Sequence, residues 1–116
     1  MSVLIDFRDS ILFTDEESIK KIIDYGNSPY VYVNWNCSPN DTEEGGLEKN
    51  FNLVKDRIRG VHLHELYSDY PYRRFFHLLR ESGYTGYCNA EIDESSEPIR
   101  LMHYYRTLFQ AFQDDV

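Results

Sequence analysis

Four stretches of the chain, VLIDF from Val3, YVYVNW from Tyr30, GVHLHEL from Gly60 and YCNAEI from Tyr87, carry their polar side chains on one parity, Glu65 apart, with Asp6, Asn36, His62 and Glu91 in or just beyond them. The residues one step away are Val, Ile, Trp, Leu or Ala. A period of two is the mark of a strand with one apolar face, so Asp6, Asn34, Asn36, His62, His64, Asn89 and Glu91 fall on the opposite face. Each stretch leads into a helical pattern, and the four marked residues are spaced by 30, 26 and 29 positions. One strand–helix unit takes roughly 30 residues, so the chain reads as four βα repeats.

The helices follow from the 3.6-residue period and its punctuation. Thr14 caps a first helix with Glu17 as its capping-box partner; Ile19, Ile22 and Ile23 form its stripe, and Gly26 to Pro29 stop it near Tyr25. Leu47, Phe51, Val54 and Ile58 mark a second helix. Pro71 opens a third at its first position, with Phe75, Phe76, Leu78 and Leu79 buried and Gly83 ending it. Ser95 to Pro98 open a fourth, which bears Leu101, Met102, Tyr105, Leu108, Phe109 and Phe112.

Strands alternating with helices imply parallel pairing and right-handed crossovers. Central strands of an open doubly wound sheet are covered on both faces and read apolar throughout, whereas barrel strands turn one face inward and place polar groups at their carboxyl ends. The predicted architecture is therefore α/β: four consecutive βα units forming half of a (β/α)8 barrel, parallel strands inside and helices outside, as one domain over residues 1–116. A whole barrel takes about 250 residues.

Composition narrows the partners. A formal charge of −8 and a pI near 4.8 exclude a surface that tracks phosphate backbones, so no nucleic-acid partner is expected. No apolar run approaches 18 residues, and MSVLIDFRDS lacks the basic and apolar regions of a signal peptide; no membrane association and a cytoplasmic location are expected. Cys37 and Cys88 read as reduced thiols. The acidic runs, Asp41 to Glu44 among them, read as solvated surface. Trp35 has the parity of the core, and the loop residues Tyr67, Tyr70 and Tyr72 either pack beneath their loop or form a wall for a sugar face.

A carboxylate, an amide, an imidazole and a carboxylate at the ends of adjacent strands suit a divalent cation with mixed oxygen and nitrogen ligands. Such a cation polarises a carbonyl or hydroxyl while Asp6 and Glu91 move a proton on and off carbon through an enediolate. The other reading of the same residues is a polar layer inside a small barrel, satisfied by mutual hydrogen bonds and water.

The stretch from Arg57 to Phe109 resembles the carboxyl-terminal part of the xylose isomerase-like TIM-barrel superfamily, the sugar phosphate isomerases and epimerases that also include endonuclease IV. A strand His followed two and three residues later by Lys and Asp is matched by His62, His64 and Glu65; a helix-ending Gly-Tyr-x-Gly before a strand Glu is matched by Gly83-Tyr84-Thr85-Gly86 and Glu91. The earlier stretches align in order, so the likeness covers nearly the whole chain as units five to eight of the barrel.

The resemblance implies metal ligands at Asp6, Asn36, His62 and Glu91, with Asp6 and Glu91 catalytic. It implies substrate contacts at His64, Glu65, Asn34 and Asn89, a divalent cation (Mn, Mg, Co or Zn), and a sugar or sugar phosphate as substrate. Asp6 is shorter than the family's Glu, Asn36 replaces its Asp, Pro39 stands where a substrate-contacting His is common, and residues 66–70 lack the usual Arg. These departures lower the expected affinity for the cation. An endonuclease of this superfamily needs more zinc ligands and a basic groove, which the chain lacks. The expected function is sugar isomerase- or epimerase-like proton transfer; the alternative is a non-catalytic half-barrel that binds a small polyhydroxylated ligand or a protein partner. Half a barrel leaves open edge strands, so a homodimer or a complementing amino-terminal half-barrel chain is expected.

Overall fold

The computed structural model describes residues 3–6, 20, 21, 24, 31–43 and 45–114, with the backbone alone for residues 3–6, 31 and 40. Strand β1 is Val3–Asp6, β2 Val31–Trp35, β3 Ile58–Leu63 and β4 Cys88–Ala90. They form one parallel sheet in the order β1-β2-β3-β4. Helix α1 is Leu47–Val54, α2 Tyr72–Ser82 and α3 Pro98–Gln113; short 3-10 turns occupy Pro39–Thr42 and Lys55–Arg57. A doubly wound sheet reverses its strand order at a switch point, whereas this sequential parallel order is that of a barrel segment. The helix expected between Thr14 and Tyr25 lies outside the described residues apart from Lys20, Lys21 and Asp24. Those three are helical, and Lys20 pairs with Asp24 at 3.0 Å.

The core lies between the sheet and the helices. Val33 and Trp35 of β2 and Val61 and Leu63 of β3 are buried, as the period-two pattern requires, beneath Phe51 of α1 and Phe75 of α2. Trp35 stacks on Phe75 at 5.7 Å between centroids and meets Phe51 edge-on at 5.7 Å. Such ring pairs add roughly 1 kcal/mol each to the area they bury.

Helix α2 buries the predicted Phe75, Phe76, Leu78 and Leu79 together with Tyr72. Gly83 ends it in the left-handed region at φ 79°, its N–H donating to the Arg80 carbonyl while the Tyr84 N–H donates to that of Leu79. This is a Schellman cap, and the positive φ is what glycine supplies. Pro71 stands one residue before the helix rather than at its first position.

A second sequence expectation is corrected as well. Ile58 belongs to β3 and not to the preceding helix: α1 ends at Val54, a 3-10 turn follows, and Ile58 is already extended at φ −76° and ψ 121°. Its apolar side chain is buried all the same, because the register of β3 shifts against β2. Val33 pairs with Ile58 but Asn34 with Gly60, so Arg59 is an extra residue on the β3 side. Such a bulge exchanges the faces presented before and after it.

Candidate functional site

Beyond the bulge, β2 and β3 present their apolar residues to the helices and their polar residues to the other side. Register pairing of Asp6 with Asn34, of Trp35 with Val61 and of His62 with Asn89 arranges the four marked positions as a rising stair across the sheet. Asn36 is level with His62, Asp6 lies two residues lower and Glu91 two higher. Strand stagger of this kind accompanies barrel curvature. Asp6 is fixed by its backbone in β1; its side chain lies outside the described residues.

His62 and Glu91 meet, with Nδ1 of the imidazole 2.8 Å from Oε2 of the carboxylate. The contact has the distance of a charge-assisted pair but not the direction of a ring hydrogen bond, and Nδ1 is otherwise buried without a partner. Oδ1 of Asn36 is likewise buried and unpartnered. An unsatisfied buried polar atom costs about 1–3 kcal/mol, and Asn36 Oδ1 on the same face as the His62–Glu91 pair suits a cation or a hydroxyl-rich ligand. Among the described residues no three His, Cys, Asp or Glu side chains gather to hold a metal. β3 and β4 bring together an imidazole and a carboxylate, with the Asn36 amide level with His62 on the neighbouring strand.

His64 lies on the same face, with both ring nitrogens directed at main-chain carbonyls. Nε2 is 2.7 Å from the Asn36 oxygen and Nδ1 3.1 Å from that of Glu91. Its own backbone is gripped from the helical side: the His64 N–H donates to the Tyr72 hydroxyl at 2.9 Å, and the Tyr105 hydroxyl donates to the His64 carbonyl at 2.8 Å. Asn34 is buried at the level of Asp6, and Asn89 is exposed beside His62. Glu65 lies near enough to Tyr105 for its charge to help hold that hydroxyl neutral; burial is the larger cause.

Above the strand ends, the loops after β2 and β3 enclose a cavity of about 380 Å³ lined by Cys37, Pro39, Thr42, His64, Tyr70 and Tyr72, among others. Behind Tyr70 of this lining lies a group that the sequence pattern does not mark. Asp41, expected at the surface, is fully buried. Its carboxyl accepts from the Ser38 N–H at 2.9 Å and from the Tyr70 hydroxyl at 2.7 Å, and the Tyr70 oxygen accepts from the Trp35 indole at 3.0 Å. A signal existed in Ser38-Pro39-Asn40-Asp41, the Ser-x-x-acid spacing of a capping box, here closing a 3-10 turn. Burial pushes the Cys37 thiol and the Tyr70 hydroxyl well up, with the Asp41 charge adding to both. Both cysteines are free, and a buried thiol held protonated is a poor nucleophile. Of the three loop tyrosines, Tyr70 and Tyr72 pack inward while Tyr67 is 81% exposed.

No protein-family model matches the sequence, and neither does any curated protein. Solved structures do. The apo 3-keto-D-glucoside 4-epimerase YcjR from E. coli superposes with a TM-score of 0.77 at 15% identity, over 99% of this chain and 46% of that one. D-allulose 3-epimerase from Methylomonas sp. superposes with a TM-score of 0.69 at 18% identity, over 91% of this chain and 41% of that one. In complex with D-allulose the same enzyme gives 0.69, with 40% of its chain covered. The chain spans less than half the length of these structures. The likeness is one of fold: this chain has the α/β arrangement of part of each of these structures, that of a partial TIM barrel.

Proposed function

We propose, from the premise that the chain folds as part of a xylose isomerase-like barrel, that it supplies half of a sugar isomerase- or epimerase-like site. Asn36, His62 and Glu91, with Asp6, would hold a divalent cation (Mn, Mg, Co or Zn), and the substrate is a sugar or sugar phosphate. The observation that carries this reading is the polar face itself, where Asn36 Oδ1 is buried without a hydrogen bond and His62 Nδ1, likewise buried, has the Glu91 carboxylate as its neighbour at 2.8 Å. The bound cation would supply Lewis-acid polarisation of the substrate oxygens. Glu91 takes a proton from the carbon next to the sugar carbonyl; that C–H pair becomes a carbon–carbon double bond as the carbonyl π pair moves onto oxygen, giving an enediolate. Asp6, on the other edge strand, returns a proton to carbon and restores the carbonyl. Of the positions the resemblance offers for contact with the sugar, Glu65, Asn34 and Asn89 are kept here.

Two edge strands and one polar face call for four further βα units to close the ring, and we assign these to a second copy or to an amino-terminal half. Light scattering on the purified chain tests the first: a dimer is expected, and a stable monomer removes it. A second reading, a half-barrel that binds a polyhydroxylated ligand or a protein without turnover, is favoured by Asn36, whose amide brings no charge to the cation.

Calorimetric titration with Mn²⁺, paired with NMR of D-allulose in deuterated water, separates the two. Stoichiometric micromolar binding that is lost in Glu91→Gln, together with deuterium entering a carbon-bound position of the sugar, supports the enzyme. Absence of both leaves the binding module.

A further inference from the structure

The two ring nitrogens of His64 address the main-chain carbonyls of Asn36 and Glu91, the two candidate ligands that flank His62 on neighbouring strands. We infer that His64 is a positioning residue: its imidazole is a strut between the ends of β2 and β4 that sets how closely the Asn36 and Glu91 side chains approach a cation held with His62. This rests on the reading of those three residues as ligands given above.

The geometry favours a strut over a substrate contact. Carbonyl oxygens only accept, so each approach is a hydrogen bond when the ring nitrogen there carries a proton; the neutral ring donates one such bond and the doubly protonated ring both. In either form both nitrogens face backbone, leaving the polar edge of the ring little to offer a sugar. The strut has a firm base, since Tyr72 of α2 and Tyr105 of α3 hold the His64 N–H and C=O from behind. Glu91 follows β4 and Asn36 follows β2, where ladder pairing ends. Of the two, Glu91 keeps one further tie, its N–H donating to the Leu63 carbonyl at 2.7 Å. At such positions a cross-strand tether decides where the ligands stand, and outer partners of metal ligands commonly govern affinity by about 10- to 100-fold.

Two substitutions separate the donor from the ring: His64→Phe keeps an aromatic ring without donors, and His64→Gln keeps donors without the ring. The probe is Co²⁺, whose visible bands report ligand number and geometry. His64→Phe is expected to weaken Co²⁺ binding by about 10-fold or more and to alter the bands, with His64→Gln recovering most of the affinity. Equal binding and identical bands in His64→Phe, or no recovery in His64→Gln, would overturn the inference. A second measurement uses the unsubstituted, metal-free protein: through-hydrogen-bond couplings from the His64 ring nitrogens to the carbonyl carbons of Asn36 and Glu91. Their presence supports the strut even if both variants fail to fold, and their absence at both carbonyls overturns it. Couplings present in a protein that takes up no Co²⁺ would uphold the strut as the spacer of the two strand ends while refuting the cation reading.

Discussion

The Tyr105 hydroxyl donates to the His64 carbonyl at 2.8 Å, joining residues 41 positions apart. Tyr105 is the buried residue of the long helix α3, so this bond is where that helix grips the strand ends. Tyr105→Phe keeps the ring and deletes the bond. It is expected to cost about 1 kcal/mol, a fall of several degrees in melting temperature, read by calorimetry.

Removal of Asp41 has a larger expected effect. Its carboxyl receives the Ser38 N–H and the Tyr70 hydroxyl in a fully buried place, and Asp41→Ala strands both donors. A loss of about 3 kcal/mol is expected in urea unfolding. Trp35 fluorescence is expected to shift as well, because its indole hydrogen bond runs through Tyr70.

Gly83 tests backbone strain without packing. Its φ is 79°, and a methyl group there would meet no atom within 4 Å. Gly83→Ala is therefore expected to destabilise by about 1 kcal/mol through conformation alone, with the Schellman bonds retained in amide exchange.

Alkaline pH is expected to loosen the fold. Burial lifts the Cys88 thiol from 9.0 to about 11, and burial followed by the Cys88 charge lifts the Tyr84 hydroxyl from 10.0 to about 12. Cys37 and Tyr70 move the same way, burial again foremost. A group whose folded pKa is raised binds its proton more tightly in the folded chain. Its contribution is whole below the unfolded value and is lost as pH climbs through the folded one. Urea midpoints should be unaffected by these groups up to about pH 8 and fall progressively from pH 9 toward 12. Iodoacetamide at pH 8 should label the thiols at least about tenfold more slowly in the folded chain than in urea.

Much of this was readable in the sequence because a period of two leaves a local trace. The strands, the core parity of Trp35, the buried face of α2 and the meeting of His62 with Glu91 all follow from residues close to their neighbours in register. Asp41 was misread because acidity in a loop usually means solvent, and its partner Tyr70 lies 29 residues away. The role of the His64 ring was hidden for the same reason: its acceptors are carbonyls at Asn36 and Glu91, and main-chain groups carry no residue signature. Ile58 fitted the helical spacing of α1 and the strand equally well, and only the turn at Lys55–Arg57 decides between them.

The extra residue at Arg59 carries a consequence for any change in chain length there. Val33 faces Ile58 below it and Trp35 faces Val61 above it, so the strand changes phase once within its six residues. Delete Arg59, and one of two things must follow: Ile58 leaves the oily side, or the two imidazoles of His62 and His64 swing in among the aromatic rings while Val61 and Leu63 turn toward the ligand side. A single-codon deletion at this spot would invert half a strand, whereas the same deletion in the loop after Leu66 would leave every one of those side chains facing as before.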